Sequence, residues 1–328
     1  MHIDIRGWID DFREEWDAGN RYLATMGALQ DLHNGLFFSV TSRYPLGTNV
    51  FDREWDLLLV LDGCRVDAVE EVAPEYDFIS TVDSIWSVGS ASHEWICKTY
   101  TNDHIEEIRE TMLISTNPFV PKTFVNREFP PSTYSVPIMW ADWDVVEADD
   151  FGELWTIHEH EFKSLNLTPP PELVTENVIR AGREFDFDRT VVHYMQPHIP
   201  HGSKAYRERR APTDVESDPW VSIRSGAATK EEVWENYLDN LRMVLDSIET
   251  LLENFDADTV AITADHGDLF GEFGAWGHPA GFVHPKLKKV PWVTTTAQDR
   301  QTVTPEVEIP KQHTESDIDE QLRALGYK

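Results

Sequence analysis

The sequence predicts an α/β protein: a three-layer sandwich with a mostly parallel central sheet and helices on both faces. Three observations carry this. The uninterrupted apolar run at 57–61 is what a strand buried on both faces requires, and 190–195 and 259–264 read as further strands. Segments with helical spacing alternate with these runs. Each run ends in polar residues, and open α/β sheets collect their ligands at the carboxyl ends of their strands.

The elements follow in order. Ile5, Trp8, Ile9, Phe12 and Trp16 fall at helical spacing, and Tyr22, Leu23, Met26, Leu29 and Leu32 continue it, so residues 1–50 read as a helical segment packed on the main domain. The catalytic domain is expected over 51–298, followed by a polar tail, 299–328. Within the domain, 57–61 is the first strand and 66–74 is helical. The small-residue loop 87–92 leads into a helix over 92–100. Residues 113–150 read as irregular, 172–184 as a helix, 190–195 as the second strand and 197–228 as a long loop. The clearest helix is 231–255, where Val233, Tyr237, Leu241, Val244, Ile248 and Leu252 trace one face. The third strand is 259–264, and a last one is expected at 290–295.

Composition narrows the function. There are 59 acidic and 28 basic residues, a net charge of −31, and only 10 lysines. A dispersed acidic, lysine-poor surface suits a high-salt cytosol, where ions screen self-repulsion. It excludes nucleic acid as a partner, since a duplex binder needs a basic face. The two cysteines, Cys64 and Cys97, make neither a disulfide framework nor a metal knuckle. No apolar run reaches about 18 residues, so no membrane span is expected. The N-terminal residues lack a signal-peptide pattern, and a cytoplasmic location is the expectation.

The chemistry-bearing residues sit where the strands end. Asp62 follows the first, His198 lies just past the second, and Asp265-His266 follow the third. A carboxylate or an Asp-His pair contributes nothing to a sheet, but several converging on one edge suit a divalent cation, which needs three or more O or N donors. Taken alone, Asp62 is equally suited to capping a helix that starts near Cys64.

LLLVLDGCRVDA (57–68), SVGSASHEW (87–95), HYMQPHIPHG (193–202) and ITADHGDLFGEFGAWGHP with KKVPW behind it (262–292) resemble, in order, the sulfatase-like branch of the alkaline phosphatase superfamily, here of haloarchaeal type. The resemblance implies a hydrolase or transferase of phosphate or sulfate esters that uses one or two divalent cations (Zn, Mn, Mg or Ca). It implies metal ligation by Asp62, Ser90, Asp265 and His266, with Ser90, or alternatively Ser92, as the nucleophile. His198 and His278 match histidines that contact the ester or complete a second metal site, with His201 and His284 behind them. His193 lies within its strand and is expected to pack in the core; His158 and His160 have no assigned role. Arg65 is placed to bind the ester's anionic oxygens or to pair with Asp67, and Lys286 to reach the same anion.

The chain departs from the formylglycine sulfatases. Ser90-Ala91-Ser92-His93-Glu94 lacks their proline and arginine, and neither cysteine stands at the nucleophile position. An unmodified serine favours phosphate esters, with sulfate esters as the alternative. A rival of another class is a catalytically inactive binding or assembly module. The expected substrate is an anionic ester, either a small molecule or a glycan- or lipid-linked one; oligomeric state stays open.

The charge density yields a direct prediction. Raising KCl from about 0.1 M to about 1 M shortens the Debye length from ~10 to ~3 Å and should raise the thermal midpoint by on the order of 5 °C. A midpoint that stays level or falls across a calorimetric salt series would sink the screening account.

Overall fold

The computed structural model describes residues 2–307 apart from 20, 133–135, 158–161 and 163. His158, His160 and most of the expected polar tail therefore lie outside the described residues. Seven strands build the central sheet: β1 Leu57–Leu61, β2 Asp83–Trp86, β3 Thr111–Ser115, β4 Glu153–Thr156, β5 Arg189–Tyr194, β6 Ala257–Thr263 and β7 Lys289–Ala297. Their order is β2-β7-β6-β1-β5-β3-β4. β1 pairs in parallel with β5 and β6, and β3 in parallel with β4 and β5. β7 runs antiparallel to both its neighbours. The sheet is mostly parallel, as expected.

The principal helices are α1 Ile5–Asp17, α2 Arg21–Thr41, α3 Val66–Val72, α4 Ser92–Thr99, α5 Phe119–Phe124, α6 Pro171–Glu184 and α7 Lys230–Leu252. Neighbouring residues of β5 show that they cover both faces. His193 packs edge-on against Trp95 of α4, while the Tyr194 hydroxyl bonds Thr175 of α6 at 2.8 Å on the opposite side. α7 starts where Thr229 caps Glu232 N, with Glu231 and Glu232 in its first turn facing the positive end of the helix dipole. No described helix is long and apolar enough to cross a membrane.

Several expectations are corrected. The stretch read as irregular holds β3 and α5, and β2 and β4 were not anticipated. The loop read at 197–228 contains helical turns at Ser203–Glu208, Asp214–Ser217 and Pro219–Ser225. These pieces are too short for a helical or alternating period to emerge from the sequence.

All five residues of β1 are fully buried, and each contributes ~1.5–3 kcal/mol by leaving water. Leu59→Ala should lower unfolding free energy by about 2–5 kcal/mol in a denaturant titration, whereas Val125→Ala at an exposed position should stay within about 0.5 kcal/mol. Equal losses in the two variants would show that the central strand does not anchor the core.

Candidate metal centre

Register brings the site together. Val60 pairs with both His193 and Thr263. Two residues beyond Val60 is Asp62, and two beyond Thr263 is Asp265. Pleating puts every second residue on one face, so both carboxylates and the His193 ring share a face at the sheet's carboxyl edge. Asp62, Asp265 and His266 each offer one ligand atom, and these atoms lie within 4.8 Å of one another, all buried.

Each group is held by its other atoms. Asp62 Oδ2 accepts from Asn117 Nδ2 at 2.8 Å and from Ser92 Oγ at 3.1 Å. Asp265 Oδ1 accepts from Gly63 N at 3.0 Å and His266 N at 2.8 Å. Gly63 has φ +69°, a left-handed conformation that a side chain would strain while its N–H is aimed at Asp265. His266 Nδ1 faces Gly267 O at 2.9 Å, so that nitrogen carries the proton and Nε2 turns its lone pair inward. Asp62 Oδ1 and Asp265 Oδ2 are buried without a hydrogen-bond partner among the described residues. His266 Nε2 is 3.6 and 3.5 Å from them. Two unpartnered carboxylate oxygens converging with an imidazole lone pair fit a divalent cation.

Electrostatics agree. Burial, reinforced by the charge of Asp265, pushes the Asp62 carboxyl well above the usual carboxylate range. Burial also opposes ionisation of Asp265, but His266, His193 and the Gly63 N–H outweigh it and hold that carboxyl low.

Ser92, the first residue of α4, stands at the cluster, with Oγ 3.2 Å from His266 Nε2. Ser90 does not. Its N and Oγ donate to Glu94 Oε2 at 2.9 and 2.7 Å, and its Oγ accepts from Gly281 N at 2.8 Å. Ser92, the alternative, therefore adjoins the cluster in place of Ser90. The physical reason is that Glu94, itself paired with Lys98 at 2.6 Å, reaches back and draws Ser90 away from the sheet edge.

A histidine layer covers the cluster. His278 stacks on His266 with ring centroids 4.5 Å apart and lies 4.9 Å from His198. Its Nδ1 is 3.0 Å from Asp268 Oδ1. Burial lowers the His278 pKa, but Asp268 more than offsets this and raises it above the ordinary value. His198 goes the other way: burial and then the neighbouring His278 push it down to about 3. His198 Nδ1 faces Ile199 O at 2.8 Å, and its Nε2 is buried with no hydrogen-bond partner among the described residues.

Other expectations are corrected. His193 is no plain core residue: its Nε2 lies 3.8 Å from Asp62 and 3.7 Å from Asp265. Arg65 is committed to Asp67, to the Asp268 carbonyl and to Glu272, and Lys286 binds the same Asp67 at 2.5 Å. His284 caps the turn Pro285–Lys288, accepting from Lys286 N. His201, whose expected role is not overturned, packs edge-on against Trp220 and Tyr237 with both ring nitrogens buried and without a hydrogen-bond partner among the described residues. Asp62 caps no helix, since α3 begins after Arg65. Asn117 and Asp268 were missed. Asp268 could have been found from its place in the DHGD run; Asn117 carries no signal in the sequence.

No family model matches the chain, and no curated protein matches it. Among solved structures, it is similar to the soluble domain of lipooligosaccharide phosphoethanolamine transferase A from Neisseria meningitidis: TM-score 0.46, 13% identity, 75% of this chain and 77% of that one. It is also similar to a putative sulfatase from Bacteroides thetaiotaomicron, with TM-score 0.38, 11% identity and coverage of 83% and 70%. A third is the phosphonate monoester hydrolase of Agrobacterium radiobacter, with TM-score 0.34, 11% identity and coverage of 73% and 67%.

Zinc or manganese added at about 100 times its dissociation constant should stabilise the protein by ~2.7 kcal/mol. In Asp62→Asn most of that increment should vanish, while the metal-free thermal midpoint holds or rises because one buried carboxylate is gone. A variant that keeps the full metal-induced shift would remove Asp62 from the ligand set.

Proposed function

We propose that the chain is a metal-dependent phosphoryl transferase or hydrolase acting on an anionic ester, with Ser92 as the nucleophile. The observation that carries this is the position of Ser92 Oγ, at the N-terminus of α4 and within 3.2 Å of both Asp62 Oδ2 and His266 Nε2. A serine in that place has no packing role to fulfil. It sits where a cation held by Asp62, Asp265 and His266 would adjoin it.

Such a cation lowers the pKa of the serine hydroxyl and neutralises charge on the ester's oxygens. The imidazole among the donors favours zinc over calcium or magnesium, which take oxygen ligands. The remaining roles fall to the chain. Ser92 Oγ–H already donates to Asp62 Oδ2, which marks out a path for its proton. The oxygen attacks phosphorus as the bond to the leaving-group oxygen breaks. His278, made more basic by Asp268, supplies a proton to that oxygen. His198, kept neutral with a buried Nε2 lone pair, accepts a proton from the water or acceptor hydroxyl that attacks the phosphoserine in the second half-reaction. Water gives hydrolysis; an acceptor hydroxyl gives transfer. In both, Ser92 is regenerated.

Phosphate is favoured over sulfate because the segment around Ser92 has neither the cysteine nor the proline and arginine of the formylglycine pattern. A small ester and a glycan- or lipid-linked one both suit the mechanism.

With metal present, Ser92→Ala should lose at least about 10³-fold in turnover on a panel of phosphomonoesters, phosphodiesters and sulfate esters. Ser90→Ala should stay within about tenfold of wild type. Peptide mass spectrometry of quenched reactions should find phosphoryl on Ser92. Turnover that survives in Ser92→Ala contradicts the assignment, and wild-type protein inert on every ester points to the non-catalytic binding module.

A further inference from the structure

We propose that the outward face of α2 is covered by a second copy of this chain, forming a two-fold symmetric antiparallel helix pair. α2 has apolar residues on more than one side and no clear polar face, and an apolar helix face is normally buried against a partner. Here one side is buried and one is not. Ala24, Asn34, Gly35 and Phe38 face the protein, where Gly35 meets Ile138 O and Phe38 packs with Val136 and Met139. Tyr22, Met26, Leu29, Leu36 and Val40 face outward and are 48–75% exposed.

The outward residues, with the exposed His33 among them, recur at spacings of 4, 3, 4, 3 and 4. That is the heptad seam of helix-on-helix packing. The seam is also self-complementary. Under a two-fold axis at residue 31, Tyr22 meets Val40, Met26 meets Leu36, and Leu29 meets His33, so large residues at one end face smaller ones at the other. Such isologous contacts are how dimers close. Antiparallel pairing also sets the two helix dipoles head to tail.

Charge selects this occupant over a lipid surface. α2 itself carries only Arg21 and Asp31 as charged residues, besides His33. Asp31 lies on the side away from the seam, so the seam is neutral. The rest of the hairpin is acidic and contains no lysine, whereas a helix lying on a membrane uses lysine and arginine to engage anionic headgroups. The available area is also sufficient. The seam's exposed side chains offer on the order of 700 Å² per copy, against roughly 600–1,000 Å² per partner in a stable interface.

The pairing would bear on the catalytic layer. His33 Nε2 lies 3.0 Å from Gly281 O, and Gly281 packs on Asn34 and Phe37. The loop that carries His278 therefore rests directly on α2.

Sedimentation equilibrium of the full chain at high ionic strength should give twice the 37.7 kDa chain mass. Leu29→Glu with Leu36→Glu should give a single chain mass with an unchanged circular dichroism spectrum. Should that variant misfold, Met26→Cys with Leu36→Cys provides a second test. The two positions are ~15 Å apart along one helix, too far for an internal bridge, yet they are opposed across the axis. Mild oxidation should therefore yield a covalent dimer, and Met26→Cys alone should not. A wild-type monomer at tens-of-micromolar concentration, a dimer that survives the glutamate pair, or a monomer that floats with phosphatidylcholine–phosphatidylglycerol vesicles would each overturn the proposal.

Discussion

The structure is organised around the repulsion between two buried carboxylates. Asp62 and Asp265 are almost fully shielded from water, on strands that share a register, with one oxygen of each left unpartnered. In a medium of low effective dielectric, two such charges a few ångströms apart cost several kcal/mol unless something offsets them. The surrounding atoms do so only in part. Two backbone N–H groups hold Asp265, while a serine hydroxyl and an asparagine amide hold Asp62. What remains unsatisfied converges on one point beside His266. A fold selected for stability alone would place a leucine there. The same geometry fits a cation, and the serine at the N-terminus of α4 is held by Asp62 Oδ2.

Charge is then layered outward. Asp268 raises the basicity of His278, and Arg65 holds the Asp268 carbonyl together with Glu272 and Asp67. Lys286 adds a second cation to Asp67. These basic side chains serve as internal counter-ions that fix the loop after Asp265. In a chain of net charge −31, the proposed anionic ester would meet its positive charge at a cation held by this cluster rather than at a basic surface.

The sequence revealed this site unevenly, for physical reasons. Asp62, Asp265 and His266 were legible because each follows a largely apolar run, where such a polar residue stands out. The helices 171–184 and 230–252 were legible because they are long enough to show a period. Ser92 was misplaced in favour of Ser90 because two serines two residues apart look alike until the reach of Glu94 is known. His193 was misread because burial within a strand usually means packing, and only the register with Val60 shows which face its ring takes. Lys286 was given to the substrate, and Arg65 to the substrate or Asp67, because their proximity to the site was visible while Glu272 and the 219-residue reach from Lys286 to Asp67 were not. Strands β2 and β4, at four residues each, are shorter than any pattern that would announce them.

The same logic joins the N-terminal hairpin to the catalytic edge. The loop from His278 to His284 has few anchors of its own: His278 binds Asp268, Gly281 N binds Ser90, and Gly281 O meets His33 of α2. Ser90, displaced from the metal ligands, is thus a tie between the helix that carries Ser92 and the loop that carries His278. Glu94 and Lys98 extend that tie to Thr41 at the end of α2. Two of the groups proposed to act on opposite sides of a transferring phosphoryl, Ser92 and His278, therefore take their spacing from one buried polar chain anchored on α2. Any force that shifts α2 acts on both at once, which gives the outer helix a mechanical claim on the chemistry without touching the substrate.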